Sequence, residues 1–316
     1  MIQYVEVTNH IGDVYRLDIN EESKKKGMVI TNIDGIGPAN ANINLTDIAD
    51  SDEKFFNSAF LDSRNITMNL LFFNEFMTIE EARHLSYLIF PPKYRIHLSF
   101  KTDKRLVGID GYVESNEPSI FNKEEEANVS IICEDPFFYD EDNAYDEAIR
   151  KDAAYGVIKK FHFSFSANKE GSLNGKRLPI VFGHAQKYFS KLVNFPGEYA
   201  VGLDFIIKVK KEAKHISLRN ITTDKQMILN TDNLSEIISG STSFLAGDEI
   251  YINTRRGKKG ITLLRNGDFY NILHTLQPGS AWIEFIPGYN QMSYTAEEGY
   301  TDIEVRYYYK TSYIGV

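Results

Sequence analysis

Between Asn65 and Tyr139 the order of structural signals restricts the fold more than anything else in the chain. A strand-like run, Asn65 to Phe73, leads into a short helical stretch, Thr78 to Phe90. Thr78 with Glu81 three residues on makes a capping box, and Pro91 and Pro92 stop the helix. Ile79, Ala82, Leu85 and Ile89 share one helical face, which suits packing against a sheet. Strands are expected at Arg95–Phe100, Arg105–Glu114 and Ala127–Cys133, the last running into Glu134-Asp-Pro-Phe-Phe-Tyr139. Asp34-Gly-Ile-Gly-Pro38 reads as a turn, and the polar Ala49–Lys54 stretch as a mobile loop.

The 316 residues allow two domains. The first is expected over 1–139 and a charged linker over 140–147. The second, over 148–316, reads as all β. Alternation is clear in Lys160–Ser166, Leu203–Val209, Asp248–Asn253 and Thr301–Tyr307. Turn signals separate such runs at Asn174-Gly175, Pro196-Gly197, Arg256-Gly257, Asn266-Gly267, Pro278-Gly279 and Pro287-Gly288, a pattern that points to a sandwich. Thr231–Ser239 reads as a helical turn or two. Aromatic residues at 13% favour strands over helices throughout.

The net charge of −9 is unevenly spread. Residues 1–139 carry 13 Lys and Arg against 23 Asp and Glu, whereas residues 140–316 carry 22 against 21. An acidic first half lacks the cations needed to grip phosphates. Its acids, with Asp47–Glu53 and Asp103–Asp110 as the leading loops, either line a passage or keep the surface soluble. The N-terminus reads as a strand, not a leader, which implies folding in a cytoplasm, and no apolar run is long enough for a membrane helix. The single Cys133 excludes an internal disulfide and reads as a buried small hydrophobe.

Catalytic patterns are missing. The sequence has no His-Glu-x-x-His helix, no nucleophile elbow and no phosphate-cradling Gly-rich loop. The acids of 140–147 miss the spacing of a calcium loop. These observations assign no catalytic, cofactor or metal residues. Trp282, the sole tryptophan, is a possible saccharide platform, set against a plainer role with Phe285 and Ile286 in the core of a strand. Arg255–Lys259 is a possible anion patch, or simply a solvated hairpin tip.

The Asn65–Tyr139 order resembles the first domain of the distal tail proteins (Dit, the siphovirus-type tail component family) of long-tailed phages. Gly247–Thr254, a basic hairpin, Arg265–Leu273, Trp282–Asn290 and the closing Glu304–Tyr309 resemble that family's C-terminal half. The resemblance implies a mainly β protein: a split-barrel-like first domain with one helix, then a galectin-like β-sandwich. It also implies a hexameric ring that joins the tail tube to tail-tip and receptor-binding or baseplate proteins, with DNA only passing through. No catalytic site, cofactor or membrane insertion is implied, and the location is the virion tail. The family pattern places the Pro-Gly-x-Asn turn between the last two strands. The alternative role is a carbohydrate-binding tail adhesin acting through the C-terminal sandwich.

Overall fold

The computed structural model describes residues 1–19, 27–74, 77–119, 125–141 and 189–316. The expected strand Lys160–Ser166, the Asn174-Gly175 turn and residues 142–147 of the linker lie outside them. The chain divides into two compact units. The first holds Met1–Ala148 with Pro196–Tyr199 and Lys310–Val316, the second Ile149–Phe195 with Ala200–Tyr309.

The first unit begins with β1 (Ile2–Thr8), β2 (Val14–Asp18), β3 (Met28–Asp34), β4 (Ala41–Asp47), β5 (Lys54–Leu61) and β6 (Arg64–Phe72). Helix α1 (Ile79–Ile89) follows, then β7 (Arg95–Thr102), β8 (Leu106–Ser119), β9 (Glu126–Cys133) and β10 (Phe138–Asp140). The main sheet runs β2-β1-β7-β8-β9-β6-β3, and its pairs are antiparallel. Its edge strands β2 and β3 approach one another without hydrogen-bonding, so the sheet curls into a barrel that stays split.

Alternation fills that barrel. Ile66, Met68 and Leu70 of β6, Ile96, Leu98 and Phe100 of β7, and Val129 and Ile131 of β9 are all buried in one cluster. Thr78 caps α1 reciprocally with Glu81, and Ala82 and Ile89 seat the helix on the cluster while Ile79 and Leu85 pack at its margin. Gly35 turns with φ +80, and a Cβ there would meet the Asn65 carbonyl oxygen at 1.9 Å, so only glycine fits. Cys133 is buried, and burial pushes its thiol pKa up to about 12.

The second unit contains β11 (Phe189–Phe195), β12 (Val201–Gly202), β13 (Asp204–Val209), β14 (Ile216–Asn220), β15 (Lys225–Leu229) and β16 (Glu249–Asn253). It continues with β17 (Gly260–Arg265), β18 (Asp268–Asn271), β19 (Glu284–Phe285), β20 (Gly288–Thr295) and β21 (Ile303–Tyr308). Sheets ordered β11-β20-β14-β15 and β18-β17-β16-β13-β21 share one core, which makes a β-sandwich. Phe205, Ile207, Ile250, Ile252 and Val305 enter it from one sheet, and Leu218, Met227, Leu229 and Met292 from the other. Both Asn266 and Gly267 have positive φ, the requirement of the tight hairpin joining β17 to β18. The expected helical turn is a 3-10 helix, Thr231–Glu236, capped by Asn230.

Two expectations need correction. The Pro287-Gly288 turn lies between β19 and β20, not between the last two strands; Gly288 has φ +90, which re-aims the chain into β20. Residues Lys310–Val316 belong with the first unit, not the sandwich. There β22 (Ser312–Tyr313) pairs antiparallel with β10, whose other neighbour is β8.

Candidate assembly surfaces

β4 and β5 form a two-stranded sheet of their own, and among the described residues neither strand pairs with a strand of the barrel. Every position of β4 is exposed, as is every position of β5 up to Phe60. The polar Ala49–Lys54 stretch, expected as a loose loop, spans the tip of this arm and the first residue of β5. Register sets Ile43 opposite Ala59 and Leu45 opposite Phe56, so alternation gathers these four on one face. The other face is polar and satisfied internally. Asn44 donates to the Ser58 hydroxyl at 3.1 Å and Asn57 to the Thr46 hydroxyl at 2.5 Å, with Phe55 and Phe60 at its ends.

A second apolar area lies beside α1. Ile11, Val14, Tyr87, Leu88 and Tyr94 are all exposed. The turn after β1 comes beside α1 and the segment that follows it, because Asn9 donates its side-chain amide to the Leu88 carbonyl at 3.4 Å and His10 stacks on Tyr94 at 4.2 Å. Exposed aliphatic and aromatic side chains gathered in one region are a common mark of an interaction surface.

The acidic segments behave differently from one another. Asp103–Asp110 was expected as one loop, but β8 begins at Leu106 and Asp110 stands inside it. Asp103 is held by the N-terminal ammonium at 2.7 Å, and Asp110 by Arg95 at 2.9 Å and His97 at 2.8 Å. At the arm's tip Asp47 pairs with Lys54 at 2.9 Å, while Asp50, Asp52 and Glu53 face solvent.

His97 bridges two carboxylates, with Nδ1 on Asp110 and Nε2 on Glu141. Gly108 leaves the room, since a Cβ there would strike the Glu141 carboxylate at 1.9 Å. Burial alone would lower the imidazole pKa, but the hydrogen bonds and charges of Asp110 and Glu141 outweigh it and raise it from 6.5 to about 9. The contribution to stability is therefore full below pH 6.5 and lost as pH rises through about 9. Thermal melts of the wild type and His97→Gln should differ at pH 6 and converge by roughly pH 10. A gap that stays constant would refute the bridge.

In the second unit Trp282 is half-buried and packs on the sandwich core just before β19. Phe285 is fully buried and Ile286 partly so. The Lys259 ammonium lies 5.6 Å from the centre of the Trp282 ring. Arg255–Lys259 falls in the connection between β16 and β17, and Arg255 is ion-paired to Asp204. Basic residues of this segment are thus spent partly on internal contacts.

Sequence reasoning missed two buried cations that organise these units. Arg64 donates to the carbonyls of Pro136 at 2.8 Å, Gly35 at 2.5 Å, Gly37, and Ile314 at 2.7 Å. It also lies over the Phe138 ring at 4.5 Å. Arg265 holds Asp248 through two nitrogens and reaches Ser241 and the Ser243 carbonyl. Neither set of partners is visible as a local motif.

No family model and no curated protein sequence matches the chain. Solved structures do. The crystal structure of SPP1 Dit, described as a hub of the adsorption apparatus in phages infecting Gram-positive hosts, matches with a TM-score of 0.59 and 11% identity over 98% of each chain. Chains of the phage P2 baseplate in its activated conformation, with calcium and with strontium, match at 13% and 12% identity. They cover 100% and 97% of both partners, with TM-scores of 0.44 and 0.42, too low to weigh. The SPP1 likeness spans both units in order, and the chain has the Dit fold.

Proposed function

We propose that this protein is the distal tail hub of a long-tailed phage or prophage, located in the virion tail after synthesis in a bacterial cytoplasm. Six copies close into a ring through their first units. The ring joins the last tail-tube ring to the tail-tip protein, and the sandwich units, galectin-like in plan, hold receptor-binding or baseplate proteins. DNA passes through the opening, and the protein's role is structural, not enzymatic. A fold alone does not fix a function. The observation that carries this reading is that the likeness to SPP1 Dit covers 98% of both chains, so the whole two-unit plan is shared. Exposed apolar surface on the first unit supports assembly of copies.

The adhesin alternative rests on Trp282, and its surroundings count against it. The Trp282 ring is partly buried against the core and the Lys259 ammonium lies 5.6 Å from its centre, both of which reduce the face open to a pyranose. Light scattering across a concentration series tests the ring. The mass should rise to six protomers, and a strict monomer at the highest concentration, also beside tube and tip proteins, would overturn the proposal.

A further inference from the structure

We infer that the β4–β5 hairpin is an assembly arm whose occupant is a second copy of this chain, its Ile43, Leu45 and Phe56 face covering the Ile11, Val14 and Leu88 area beside α1 of the next protomer. The inference rests on the ring reading above and names the contact that would close it.

An isolated two-stranded hairpin is marginal in water unless one face is covered. Among the described residues nothing covers it: Ile43 is 57% exposed, Leu45 51% and Phe56 57%. On the opposite face Asn44, Ser58, Asn57 and Thr46 bond within the hairpin and Phe55 and Phe60 stand apart at its two ends, so the contiguous apolar run is the Ile43, Leu45 and Phe56 face. Among the described residues no further strand pairs with the outer edges of β4 and β5, and an open edge is a liability that assembly removes.

The partner surface is on the same unit but is a different surface. Ile11 is 69% exposed, Val14 61% and Leu88 50%. A contact between unlike patches of identical chains is head-to-tail; such contacts make a ring when the rotation closes and an open filament when it does not, and the ring reading above requires the first. Charge bears on the pairing through exposed Lys93 beside Tyr94, a counter-charge for the exposed Asp50, Asp52 and Glu53 of the arm's tip, while exposed Asp13 sets the tip away from the Ile11 and Val14 end of the area.

The test uses the full chain. In the triple variant I43T/L45T/F56T the concentration for half-assembly should rise by about a hundredfold, since a few central apolar anchors dominate such contacts. Its melting temperature as a monomer should be unchanged, because the arm is outside the barrel core. Chains carrying Phe56→Cys and chains carrying Leu88→Cys should form an intermolecular disulfide when mixed but not separately. Cys133 is buried and gives little background. If the wild type forms rings, the triple variant forms them equally well and the mixture does not cross-link, the arm inference fails while the ring stands. Self-linking of the Phe56→Cys chain alone would show a like-to-like contact and also overturn it. A wild type that never assembles would remove both.

Discussion

Replacing Arg64 by methionine should destabilise the first unit by about 3–5 kcal/mol, among the largest single-residue effects in this chain. Arg64 is 3% exposed, and among the described residues no carboxylate pairs with it. Its guanidinium is satisfied by backbone carbonyls from three separated places: the Gly35–Gly37 turn, Pro136 after β9, and Ile314 at the end of the chain. Burial lowers its pKa, yet so strong a base stays charged. Methionine fills similar volume but leaves those carbonyls without a donor, and buried unsatisfied acceptors cost roughly 1–3 kcal/mol each before relaxation. Lysine keeps the charge but cannot fork to three segments, so Arg64→Lys should lose most of the same stability. Hydrogen exchange at β6 and β9 amides reads the effect locally. Deleting 310–316 should reproduce part of it, because β22 and the Ile314 acceptor leave together. A loss under about 1 kcal/mol in Arg64→Met would mean water replaces the guanidinium.

The corresponding expectation for the sandwich concerns Asp248 and Arg265. Asp248 is 2% exposed and Arg265 7%. Their bidentate pair, 2.9 Å at Nε and 2.5 Å at Nη2, is extended by the Leu245 amide donating to Asp248 at 2.8 Å. Breaking a buried pair from one side leaves an uncompensated charge, so Asp248→Ala should cost about 3–5 kcal/mol. The double variant Asp248→Leu with Arg265→Met should recover much of that loss, because neither charge then needs a partner. Trp282 is the only tryptophan and packs on this core, so its fluorescence follows the second unit's unfolding. Equal losses in the single and double variants would contradict the ion-pair explanation.

Legibility in the sequence followed the range of the interaction. Helix α1 was readable because its cap and its stop lie within a few residues of it: Thr78 with Glu81, then Pro91 and Pro92. Asn266-Gly267 announced a hairpin for the same reason, since positive φ at both positions is a local requirement. Alternation located β6, β7, β9, β13, β16 and β21 to within a few residues, whereas β8 extends past Glu114 to Ser119 because pairing with β9 continues it.

Arg64 was not readable. Its acceptors lie 72 and 250 residues away, and nothing local distinguishes it from a surface arginine. The return of Lys310–Val316 to the first unit is likewise a pairing between β10 and β22, each short enough to carry little signal alone. Ile43 and Leu45 do alternate with polar residues, so a strand at β4 was visible in principle. Alternation usually marks a half-buried strand, however, and gives no sign that β4 stays exposed on both faces in the protomer. Trp282 shows a further limit: the sequence offers a saccharide platform and a core role side by side, and the partial packing and the lysine neighbour that bear on the choice are tertiary.

The most direct test of the central claim is negative-stain electron microscopy of the purified full-length protein, alone and with the tail-tube protein. The expected images are six-fold rings with a central opening, capping the end of the tube. Monomers under both conditions, or closed particles with no axial opening, would contradict the assignment of this chain as a tail hub.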